Sequence, residues 1–184
     1  IPPPQHPLET TGHVSLLHFT DGQQVVFPPD YLRLIDAYGS GDFTSDERYG
    51  EGTIGDILHL RNACAPGYQT CLMQESSFLR EYKESEGDRY VPYAVYPDKP
   101  GILPWGGADF RLSYFWLTEG KPEQWPVLLM HDLEIWTRFD MPMTVFLEQL
   151  LFGEINCSCI GWRGEYSRRN PAHISFRPRI QPGG

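Results

Sequence analysis

The sequence predicts an α+β fold, a twisted and mainly antiparallel sheet flanked by helices. Three observations point to it. Apolar residues recur at helical spacing over 31–38 and again over 143–151, near opposite ends of the chain. Between them, short β-branched and aromatic runs follow one another with turn-forming residues in the gaps, above all over 112–139. Elements of one kind are therefore clustered, which is the order of an α+β chain and not of an alternating, parallel α/β one.

Taken in order, residues 1–13, IPPPQHPLETTGH, read as a flexible proline-rich leader. Val14–Phe19 and Gln24–Phe27 lie on either side of Thr20-Asp21-Gly22, the grammar of a hairpin. Pro28-Pro29 opens a helix, because proline lacks an N–H that a first turn leaves unbonded anyway. Tyr31, Leu34, Ile35 and Tyr38 make its apolar face, and Gly39 caps its end. Residues 39–53 read as a polar, glycine-rich loop with a negative field, Asp42, Asp46, Glu47 and Glu51 being opposed only by Arg48. Leu72–Glu84 is expected to be helical, with Leu72, Leu79 and Tyr82 on one stripe.

Val91–Tyr96, Leu112–Thr118, Val127–His131 and Glu134–Phe139 are the strand candidates of the sheet. Pro97, Pro100 and Pro104 separate the first two, and each would remove a donor from a ladder. Met143, Phe146, Leu147, Leu150 and Leu151 define the clearest helix, started by Pro142 and stopped by Gly153. Cys157–Trp162 and Ile174–Phe176 are expected to add edge strands from a C-terminal extension, residues 156–184.

A chain of 184 residues accommodates one domain, assigned to 14–155, with a sizeable core. Hydrophobic content of 40% and aromatic content of 14% argue against global disorder. No apolar run approaches the roughly 18 residues that span a bilayer, and the leader has neither the basic nor the apolar segment of a signal peptide. The expectation is a cytoplasmic protein without membrane association. Cys64, Cys71, Cys157 and Cys159 are too few for a disulfide scaffold and lack zinc-finger spacing.

The net charge of −9 is unevenly spread. Residues 1–153 hold 10 basic against 22 acidic side chains, and residues 154–184 hold 5 arginines against 2 glutamates. Such a body repels nucleic acid and steers basic partners toward itself. Arg163, Arg168, Arg169, Arg177 and Arg179 are expected to complement it.

Catalysis would require polar groups with identifiable roles. The chain has no G-x-S-x-G elbow and no phosphate loop. His131-Asp132 resembles a base and its orienter, but adjacent strand residues face opposite ways. His13, His18, His59, His131 and His173 are scattered, so neither a metal centre nor a cofactor is expected. Trp105, Trp116, Trp125 and Trp136 occur in or beside strand candidates, where large rings build a core; Trp162 is the best candidate for exposure.

The ordered landmarks carry a resemblance. Pro29-Asp30-Tyr31 leads to Tyr38-Gly39-Ser40-Gly41; Trp105-Gly106, Phe115-Trp116-Leu117, Gly120, Pro122 and Trp125-Pro126-Val127 follow; Phe139, Met141, Phe146-Leu147 and Gly153 close the set. Over about residues 16–155 this resembles the SUKH superfamily, which includes yeast cell-wall-synthesis and killer-toxin-resistance regulators and many bacterial immunity proteins. Where many relatives place a Gly-Asp turn, this chain has Asp109-Phe110-Arg111-Leu112-Ser113.

The resemblance implies a helix-flanked antiparallel sheet, no catalytic residues, and an immunity protein that binds a cognate, basic, nucleic-acid-acting toxin. A regulatory or scaffold module is the alternative, as the eukaryotic members imply. The carboxylates expected at the partner surface are Asp42, Asp46, Glu47 and Glu51, joined by Glu119 and Glu123 at the 119–124 turn. No pattern in the sequence specifies an oligomeric state.

Overall fold

The first apolar runs pair as expected: β1 (Leu16–His18) and β2 (Gln24–Val26) form an antiparallel hairpin in a small sheet of their own. The computed structural model describes residues 1–8, 16–18, 24–49, 52–63, 66–108, 112–155 and 170–179. The helix expected after Pro28 is α1 (Pro29–Tyr38), whose Tyr31 and Ile35 are buried.

Gly39 ends α1 with φ 71° and ψ −160°, a region open essentially to glycine alone. The leader explains why the turn is so tight. Leu8 bridges to Gly39 in parallel, and its carbonyl accepts from the Ser40 N–H at 3.1 Å. Tyr38 Oη donates to the Ile1 carbonyl at 2.7 Å, and Ile1 packs on the core. Residues 1–8 are thus a docked strap and not the flexible leader expected; residues 9–13 lie outside the described set. A Cβ at Gly39 would stand 1.8 Å from the Leu8 oxygen. Gly39→Ala is therefore expected to cost about 1–3 kcal/mol and to free the strap, read as a lower urea midpoint and faster proteolysis within residues 1–8.

The expected acidic loop is instead a hairpin, β3 (Gly41–Tyr49) and β4 (Gly52–Leu60), antiparallel with two register shifts. Its strand character is concealed because the buried positions Asp42, Thr44 and Ser45 are polar, with Phe43 among them as a core anchor. Partners on adjacent strands, such as Ser175 Oγ at 3.0 Å from Thr44 Oγ1, take the place of apolar packing.

α2 runs over Pro66–Glu86, longer than the span expected, with Leu72 and Leu79 buried. Of Val91–Tyr96 only β5 (Ala94–Val95) is strand, and it joins β6 (Gly101–Ala108) in parallel. β6 contains Pro104 and was hidden by it. The proline is tolerated because β5 pairs only with Gly101 and Ile102 and β4 only with Gly106 and Gly107, leaving position 104 unpaired on that side. Toward the other neighbour the register shifts between Pro104 and Gly106, a bulge of the kind where proline is admitted.

The remaining elements follow expectation. They are β7 (Leu112–Leu117), β8 (Val127–His131), β9 (Ile135–Phe139), α3 (Met143–Phe152) and, at an edge, β10 (Ile174–Pro178). Gly153 ends α3 in the left-handed conformation, φ 72° and ψ 27°. Cys157–Trp162 lies outside the described residues. Among the described residues the large sheet has eight strands, ordered β10-β3-β4-β6-β7-β8-β9 with β5 beside β6. Its hydrogen-bonded pairs are antiparallel except β5 with β6.

Period-two alternation sends side chains of the central strands to two cores. Leu103, Trp105, Tyr114, Trp116, Val127 and Leu129 pack with Tyr31 and Ile35 of α1 and the apolar stripe of α3. Ile102, Phe115, Leu117, Leu128 and Met130 pack with Leu79 of α2, Val91 and Val95. The middle strands therefore read as unbroken apolar runs, because both faces are covered.

Candidate functional site

Asp42 lies on β3 between β4 and β10, directly opposite His59 on one side and Arg177 on the other. Its side chain is only 5% exposed. His59 Nδ1 stands 2.7 Å from Oδ1, and Arg179 Nε donates to Oδ2 at 2.8 Å. A carboxylate so removed from water requires partners. Asp42 is consequently an internal fastener of the sheet edge, a correction to its expected place on an open acidic loop. Arg179 does complement the acidic body as the sequence implied.

The other expected carboxylates are dispersed. Asp46 is exposed and meets His173 Nδ1 at 2.8 Å. Glu47 is half-buried, its backbone N–H donating to Ser45 Oγ at 3.2 Å. Glu51 lies outside the described residues. Glu119 is exposed and accepts from Arg138 Nη1 at 3.0 Å. Hydrogen bonds to Asp140, and then to Glu119, hold the Arg138 guanidinium above its ordinary value. Glu123 is exposed on the 3₁₀ turn Pro122–Gln124. β4 and β6 separate β3 from β7, so the two groups stand at least roughly 14 Å apart across the sheet. They do not form one acidic surface.

Among the described tryptophans, Trp105, Trp116 and Trp125 do not line a cleft. Trp105 and Trp116 are fully buried and Trp125 is 5% exposed. Trp116 meets Tyr31 edge-on at 4.9 Å, Trp105 at 5.8 Å and Trp125 at 6.2 Å. Trp105 meets Phe146 of α3 edge-on at 6.3 Å. The exposed 120–124 segment connects neighbouring strands, as its turn residues implied.

His131 and Asp132 are brought together, contrary to the strand geometry expected of them. Asp132 leaves β8 in a turn at φ 53°, so that its Oδ2 lies 3.3 Å from His131 Nε2. Cys64, Cys157 and Cys159 fall outside the described residues. Among those described, no three His, Cys, Asp or Glu stand close enough to hold a metal ion. Glu75 carries a raised pKa, because burial outweighs the opposing field of Arg61.

Sequence reading passed over one feature. Phe78, Tyr82 and Tyr90 form a series of rings on and just after α2, the first exposed and the other two half-buried. The signal was present in the spacing: Phe78 and Tyr82 are one helical turn apart, among Glu81, Glu84 and Glu86. Neither a protein-family model, nor a curated protein, nor a solved structure matches the chain.

Proposed function

We propose that this protein is a cytoplasmic immunity protein of the SUKH type, which binds and neutralises a basic, nucleic-acid-acting bacterial toxin domain. One observation carries the reading. Landmarks spread from Pro29 to Gly153 meet in a single construction: Tyr31 packs on Trp116, Trp116 on Trp105 and Trp125, and Trp105 on Phe146. Asp30 of the same set accepts from the backbone N–H of Thr144 at 3.2 Å and from its hydroxyl at 3.1 Å, tying α1 to the start of α3. Tyr31 Oη donates to the Arg61 carbonyl at 2.6 Å and accepts from the Ala63 N–H at 2.7 Å.

The net charge of −9 adds electrostatic steering toward a basic partner, raising the association rate while buried anchors set the affinity. Among the described residues, no helix is long and apolar enough to cross a membrane. The proposal requires a toxin domain encoded beside this protein, and co-expression of the two tests it. Cells are expected to survive, and the two proteins to co-purify at equal stoichiometry. Survival without a complex contradicts neutralisation by binding; death of the cells leaves the regulatory or scaffold reading.

A further inference from the structure

Phe78 is 49% exposed, an unfavourable position for a large ring unless something covers it. It is not isolated. Its ring stacks on Tyr82 at 5.8 Å with 16° between planes, and Tyr82 meets Tyr90 edge-on at 5.9 Å. Phe78 faces outward from α2, whereas Tyr82, half-buried, rests on the core around Leu79, and Tyr90 follows α2 half-buried.

Carboxylates rim them. Glu81 and Glu86 are exposed on α2, one turn on from Phe78 and Tyr82 respectively, and Glu134 is exposed on the turn between β8 and β9. Glu86 and Glu134 stand beside Tyr82: partial burial, and then the fields of Glu86, Tyr90 and Glu134, push its hydroxyl above the ordinary value. Nearby cations are engaged elsewhere. Arg80 donates to the Tyr96 carbonyl. Lys83 Nζ donates to the Val91 carbonyl at 2.6 Å and pairs with Asp88 at 2.5 Å. One guanidinium already uses the ladder, since Arg89 sits 5.5 Å from the centroid of Tyr90.

We propose that this aromatic ladder is a docking surface for an arginine-bearing protein segment, with guanidinium groups stacked on Phe78 and Tyr82 and paired with Glu86 and Glu134. Charge complementarity selects the occupant. The surface offers π faces and carboxylates side by side, the combination that a planar, forked cation satisfies and a lysine ammonium satisfies less well. Nucleic acid is repelled by the same carboxylates. Naming the partner as the toxin domain rests on the function proposed above; the surface itself does not.

The probe is a fluorescein-labelled arginine–serine repeat peptide, with a lysine–serine peptide of equal length beside it, followed by fluorescence anisotropy. The arginine peptide is expected to bind the tighter, and Phe78→Ser to weaken it about tenfold with unchanged Tm. Glu86→Lys with Glu134→Lys is expected to weaken it about a hundredfold, while Asp36→Lys with Glu148→Lys, an equal charge change on exposed positions of α1 and α3, has little effect. Equal loss in the two double variants, or no loss in Phe78→Ser, overturns the surface as general attraction to an acidic chain. In co-expression, protection by the wild type and its loss in Phe78→Ser combined with Glu86→Lys supports docking here. Undiminished protection by that variant overturns the ladder as the toxin site. Failure of the wild type to protect overturns the toxin reading alone, and the peptide result then decides the surface.

Discussion

Trp116→Ala is expected to lower unfolding free energy by about 3–5 kcal/mol, a large fraction of the roughly 5–15 kcal/mol that holds a domain together. The indole is fully buried and touches rings from α1, β6 and the segment before β8, as well as Phe27 at 6.0 Å. Truncation removes its buried area and leaves a cavity between rigid rings that close poorly around it. Trp116→Phe is expected to cost much less. The indole Nε1 is buried with no acceptor among the described residues, so phenylalanine also removes a donor that folding leaves unsatisfied. Urea unfolding at constant m-value measures both. A Trp116→Ala loss below about 1 kcal/mol would show that the rings are not one packed unit.

Asp42→Ala is expected to cost about 1.5–3 kcal/mol, because it deletes charge-assisted hydrogen bonds to both His59 and Arg179 from a buried acceptor. Arg179→Ala removes the donor of one bond, but that side chain is 64% exposed, so water enters where the guanidinium stood and donates to Asp42 Oδ2 in its place. A loss of about 1 kcal/mol or less follows. The asymmetry is the test. Hydrogen exchange at Ser175 and Phe176 should rise sharply in Asp42→Ala and only slightly in Arg179→Ala. Equal effects would mean that β10 is held by its backbone ladder and by Ile174, not by the carboxylate.

The legible parts of the fold were those where one residue type had one physical reason to be present. Prolines at 28, 29 and 142, glycines at 39 and 153, and apolar spacing on α1 and α3 each located a boundary or a face. β7 and β8 were legible because both of their faces are apolar, and β9 because Ile135, Trp136 and Phe139 are β-branched or aromatic. β3 was illegible for the opposite reason: its buried positions are polar, and their partners, His59, Ser175 and Arg179, are distant in sequence. β6 was illegible because a proline argues against a strand unless the gap between two neighbours is known. The same distance effect dispersed the expected site. A cluster of carboxylates in sequence is a cluster in space only along a loop or one helix face, and on a strand alternate residues diverge. Phe78 and Tyr82, by contrast, share a face through helical spacing alone.

The pairing of β10 with β3 has a consequence in time. Thr44 and its hydrogen-bonded partner Ser175 are separated by 131 residues, while β3 and β4 are joined almost directly. During synthesis at about 5–20 residues per second, the β3 edge waits on the order of ten seconds before its partner exists. Throughout that interval it presents an unpaired row of backbone donors and acceptors, the template on which strands of other nascent chains assemble. The polar and charged side chains that concealed β3 in the sequence are also what makes that wait survivable, since they give a foreign strand little apolar surface to hold.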